Sequence, residues 1–165
     1  MLNIRISDLK VFVHKLLIDK TFDPLLLVEA SIKSDVSYHI SGRINREFFT
    51  DEELEALPSD MYIPWSAQKG NIFNVIKGSK LPLGFKIVLI ARDRDIKYII
   101  ENNNLHMNPD DVANLAMNIL YDGNEIIVTT ITSLKTFSLS KELEHLWDQN
   151  VKAFLSKNEI TFEER

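Results

Sequence analysis

The chain has 165 residues, 45% hydrophobic and 26% charged, with a formal charge of −5 and no cysteine. That composition predicts one globular domain, 1–165, large enough to bury a core. It excludes disulfides, zinc–thiolate centres and thiol catalysis, and its acidic balance argues against a nucleic-acid binder of the broadly basic kind. The first residues lack the apolar centre of a signal peptide and no apolar run could cross a bilayer, so a cytoplasmic protein with no membrane partner is expected.

Leu2, Ile4 and Ile6 alternate with polar residues as in a short strand. Ser7 reads as a helix N-cap, followed by Leu9, Phe12, Val13, Leu16 and Leu17 at helical spacing. The runs Leu25 to Ile32 and Val36 to Ile44 read as a hairpin. Centring its turn on Ser34 pairs Val28 with Ile40, Ala30 with Tyr38 and Ile32 with Val36, and sets Glu29 opposite His39 on the other face. Thr50 and Glu53 form a capping-box pattern that starts a short acidic helix, stopped by Pro58.

Trp65, Ile72, Phe73 and Ile76 suit a second helix with Gly78 just past its end. Phe85 to Ala91 and Ile96 to Ile100 read as a second hairpin, apolar on both faces and therefore central. Asn108-Pro109-Asp110-Asp111 carries the cap, proline and acids of a helix start, leading into Val112, Leu115, Ala116, Ile119 and Leu120. Glu125 to Thr132 and Lys135 to Leu139 read as a third hairpin, and Ser140 as the cap of a last helix holding Leu143, Leu146, Trp147, Phe154 and Leu155. The tail after Lys157 is expected to fray.

Helix followed by hairpin thus recurs three times. It predicts an α+β fold: a twisted antiparallel sheet of six to seven strands built from three helix–hairpin units, with helices packed on it. A duplicated clamp-like arrangement, with helices lining one side of a curved sheet, is the alternative.

Chemistry-bearing motifs are few. Lys77-Gly78-Ser79-Lys80 has the residue types of a phosphate loop without its spacing, and its glycine follows a helix. There is no GxSxG, and His14, His39, His106 and His145 show no metal-ligand spacing. Glu29 with His39 is one candidate pair, since a carboxylate can orient an imidazole as general base; a plain cross-strand ion pair is the commoner explanation on a solvated sheet face. Lys69, Lys77, Lys80 and Lys86 lie in a stretch, Ala67 to Ala91, that contains no acid. Beside Trp65 they form a candidate anion-binding patch with an aromatic stacking surface, unless they are simply solvated.

Phe22-Asp23, Leu27-Val28-Glu29-Ala30-Ser31-Ile32, Gly42-Arg43-Ile44-Asn45 with Phe48-Phe49, and Ile76-Lys77-Gly78 through Pro82 to Phe85-Lys86-Ile87-Val88 resemble a family of short bacterial proteins from Gram-positive anaerobes, a domain of unknown function. The resemblance implies a bacterial, cytoplasmic, standalone domain and brings no site residues with it. Together these readings point to a non-catalytic binding or protein-interaction module, with a protein partner or self-association and no cofactor or metal. An anion or nucleic-acid binder using Lys69 to Lys86, and an enzyme using Glu29 and His39, are the alternatives.

Overall fold

Period-two alternation divides every long strand into an apolar and a mixed face, and that division builds the molecule. A computed structural model describes residues 1–57, 61–78 and 80–165. The strands are β1 (Asn3–Ile6), β2 (Leu26–Lys33), β3 (Ser37–Ser41), β4 (Ile63–Pro64), β5 (Gly84–Ile90), β6 (Val112–Tyr121), β7 (Ile126–Leu134) and β8 (Phe162–Glu164). They form one eight-stranded sheet in the order β3-β2-β5-β6-β7-β1-β8, with β4 also paired to β2. Every pairing is antiparallel. The helices are α1 (Leu9–Leu17), α2 (Asp51–Ala56), α3 (Trp65–Ile76), α4 (Asp93–Asn102) and α5 (Glu142–Lys157). The class is α+β, with helices packed on an antiparallel sheet.

The inner face carries Ala30, Ile32, Ile87, Leu89, Leu115, Met117, Ile119, Val128 and Ile4, all in one buried cluster. Phe12 and Leu16 of α1, Ile72 of α3, Ile96, Ile99 and Ile100 of α4, and Trp147, Val151 and Leu155 of α5 complete that cluster. These four helices therefore cover one face only. Residues of the opposite parity point the other way. They make a separate small cluster of Leu26, Ile90 and Ala116, with Val28, Tyr62 and Val88 packed on it. A bulge at Val28, where the β2–β5 register shifts between Leu27 and Glu29, keeps both ends of β2 in phase with the core. At the β2 edge, Gly42 donates its N–H to the Val28 carbonyl at 2.8 Å. A Cβ on Gly42 would lie 1.9 Å from the Leu27 carbonyl oxygen, so only glycine permits this approach.

The three-unit recurrence does not survive. Ile96 to Ile100 is helix α4: Ile96, Ile99 and Ile100 are its buried stripe, and Asp93 and Asp95 occupy its first turn. The expected helix after Pro109 is a single 3-10 turn, Pro109–Asp111, in which the Asn108 side chain accepts the Asp110 N–H at 3.0 Å. Beyond it the chain extends as β6, because Leu115, Met117 and Ile119 bury one face at period two. Its hairpin partner is β7; Lys135 to Leu139 is not a strand.

In the first hairpin the pairs are Ala30 with Ile40 and Ile32 with Tyr38, and Glu29 lies opposite Ser41. The turn centres one residue later than expected because the Asp35 carboxylate accepts the Val36 N–H and the Ser34 hydroxyl. Ala30 and Ile32 keep their expected face with partners shifted by two, whereas Val28, at the bulge, turns to the open face instead of pairing with Ile40. Helix α1 is capped by Asp8, not Ser7, and α5 begins after Lys141, which supplies no side-chain cap. Helix α3 runs through Gly70 to Ile76. The capping box of Thr50 and Glu53 is formed, while Pro58 lies outside the described residues. The tail does not fray: β8 pairs with β1, Ile6 opposite Phe162, and Ile160 is buried.

Candidate functional site

The uncovered face of the sheet holds the first sequence candidate. Because His39 sits opposite Ser31, its Nδ1 meets the Ser31 hydroxyl at 3.1 Å. The Glu29 carboxylate instead accepts from Lys86 Nζ at 3.1 Å, across β2 and β5. Glu29 and His39 still share a shallow depression of about 390 Å³ with Arg43 and Tyr62. A triad-type relay needs a carboxylate on one imidazole nitrogen and a nucleophile on the other. Here the hydroxyl takes Nδ1 and the carboxylate is engaged elsewhere, so the pair is not arranged as a nucleophile–base–carboxylate relay.

The second candidate disperses. Trp65 is fully buried and its indole N–H donates to the Leu16 carbonyl at 2.9 Å, which anchors α3 to α1. Lys69 is tied to the Asp23 carboxylate at 2.7 Å and to the Asp19 carbonyl at 2.8 Å. Lys77 lies over the Phe73 ring, 5.5 Å from its centre. Lys86 is on the opposite side of the sheet, paired with Glu29, and Lys80 is exposed. The four ammonium groups have four different surroundings. Among the described residues, no group of three or more His, Cys, Asp or Glu could hold a metal ion. Nor is any described helix long and apolar enough to cross a membrane.

A third place was not legible in the sequence. On the helix side, at the end of the sheet where β5 begins and β6 turns into β7, a groove of about 430 Å³ opens. Leu9 and Val13 of α1 form one wall and Ile76 of α3 another. Pro82, Phe85, Tyr121 and Ile126 come from the sheet end. Phe85 and Tyr121 are cross-strand neighbours whose rings lie 5.2 Å apart. At the lip, Ile18 is 52% exposed and Leu81 is 85% exposed. Among the described residues no carboxylate lines the groove; Lys10 and His14, one turn apart on α1, are its basic residues.

The β6–β7 turn that fixes Tyr121 and Ile126 is held by Asp122, whose carboxylate accepts the N–H groups of Asn124 and Glu125 at 2.9 Å each. Those backbone donors, Glu125 first, hold the Asp122 carboxyl below its usual range. Gly123, with φ of +98°, supplies the left-handed step that the turn requires. Beside the groove, Leu81-Pro82-Leu83 sets two exposed leucines around a buried proline.

Fold and site define an α+β domain with one covered and one open sheet face, and an apolar groove on the covered side. Residues 15–163 match a family described as a family of unknown function (DUF5721), and the chain belongs to it. No curated protein and no solved structure matches the chain significantly.

Proposed function

We propose that this chain is a non-catalytic binding module whose site is the helix-side groove, set in a bacterial cytoplasmic protein. The observation that carries the reading is the groove itself. It has the volume and the mainly apolar lining typical of small-molecule sites, with a few polar groups at the rim. An apolar surface that folding leaves wet costs free energy that a ligand recovers on entering. The inner walls offer no nucleophile: Leu9, Val13, Ile76, Phe85 and Ile126 are hydrocarbon. The Tyr121 hydroxyl is engaged with the Gly123 carbonyl at 3.0 Å. The lack of cysteine fits a reducing compartment.

The test is binding of a neutral apolar probe, 1-octanol, followed by ligand-observed NMR on the wild-type chain and on Ile18→Asp. Ile18 is half-exposed at the lip, so the substitution spares the core. Saturable binding weakened about tenfold or more by Ile18→Asp is expected, since a charge at an apolar wall opposes burial. Equal binding by both chains, or none by either, overturns the reading.

A further inference from the structure

We infer that the groove takes a single-chain anionic amphiphile: an apolar tail lies against Leu9, Val13 and Phe85, and its carboxylate is held at the mouth by Lys10 and His14. The inference rests on the groove being the binding site and goes beyond it to the class of ligand.

Three observations converge. First, helix α1 carries two adjacent stripes. Leu9 and Val13 point their hydrocarbon into the groove, while Lys10 and His14, offset by one residue from each, stand beside them. Residues four apart lie on one helix face, so the ammonium and the imidazole reach the same point above the apolar wall. Second, the ammonium of Lys10 is unspent, while His14 stands near the Asp19 carboxylate. Among the described residues Lys10 has no ion-pair partner, in contrast to Lys69 and Lys86, which are paired with Asp23 and Glu29. Third, among the described residues no carboxylate lines the groove to compete for Lys10. An uncompensated cation at an apolar mouth favours an anionic head and disfavours a cationic one, although the whole chain carries −5.

Length discrimination follows from the apolar walls. Each further methylene that enters removes hydrocarbon from water and tightens binding about fourfold, until the tail outgrows the groove. The head group adds a charge-assisted hydrogen bond at a partly exposed position, worth about a fivefold preference over a neutral head of the same chain length.

The experiment titrates the full chain with octanoate, 1-octanol and octyltrimethylammonium, each as monomer, and repeats the series on Lys10→Met. Lys10 is exposed, so this variant keeps the fold. The expected result is octanoate tightest and the cation weakest. Lys10→Met weakens octanoate several-fold relative to 1-octanol, narrowing the gap between the two. If all three bind alike, or Lys10→Met changes nothing, the anionic head is overturned while the groove remains the binding site. Failure of all three to bind removes the groove reading itself, and this inference with it. If octanoate does not bind and the chain is instead retained by anionic phospholipid vesicles, a membrane surface takes the place of the soluble ligand and the inference fails.

Discussion

The two sides of the sheet come from the same strands and leave opposite problems at the surface. On the open side two polar pairs form, Glu29 with Lys86 and Ser31 with His39, and Asn118 Oδ1 is buried without a partner. Pairs of that kind contribute little and ask for no ligand. On the covered side the helices bury nearly everything, yet α1 and the end of α3 stop short of the β5 start. Hydrocarbon from four separate segments is left facing water there. Unmet demand, rather than the density of polar residues, separates a candidate site from a solvated surface.

Adjacent residues of one central strand break or sharpen this contrast most strongly. Ile87 is fully buried on the inner face, and Val88, next to it, faces the open side. Ile87→Ala should cost about 2–5 kcal/mol through a cavity that neighbours cannot fill. Val88→Ala should cost about 1 kcal/mol or less. Urea denaturation of both variants measures the difference, and equal losses would mean that the open face is covered after all.

A smaller effect is expected at Thr130, a buried polar side chain on the inner face. Its hydroxyl accepts the Leu2 N–H at 2.8 Å and donates to the Asp148 carboxylate, linking β1, β7 and α5. Thr130→Val keeps the shape and leaves the Leu2 N–H unmet, while Asp148 retains the N-terminal ammonium at 3.4 Å, so the cost should be about 1–3 kcal/mol. A neutral result in thermal unfolding would show that water replaces the hydroxyl.

The smallest effect concerns the turn behind the groove. The Asp122 carboxyl is held below its ordinary value by backbone donors, so the folded state binds its proton less readily than the unfolded chain does. Its contribution is therefore fully present above the unfolded value, about pH 4, and is lost as pH falls through the lower folded value. Asp122→Asn should flatten stability against pH in that acid window only. Unaltered acid sensitivity in denaturation curves at successive pH values would remove Asp122 from the account.

Much of the fold class was legible because apolar runs such as Leu25 to Ile32 and Phe85 to Ala91 are short, bounded by turn residues and fit strands. Local signals failed where two periods fit the same residues. Ile96 and Ile100 suit a strand through Tyr98 and a helix through Ile99, and burial of Ile99 decides for the helix. Val112, Leu115 and Ile119 suit a helix, but Met117 between Leu115 and Ile119 is buried as well, which only a strand in this sheet achieves. The cap residues before Val112 were read correctly and terminate in one turn. The groove was illegible for a different reason. Leu9, Ile76, Phe85 and Ile126 each look like ordinary core, and only the three-dimensional arrangement shows that the core ends before it is closed.

Backbone amide shifts of the labelled chain, recorded as octanoate is added, test the central claim most directly. The account predicts saturable shifts at Lys10, Val13, His14, Phe85 and Ile126, with Ser31, His39 and Lys86 unmoved. Shifts confined to Ser31, His39 and Lys86 would contradict it, and place the binding surface on the open face of the sheet.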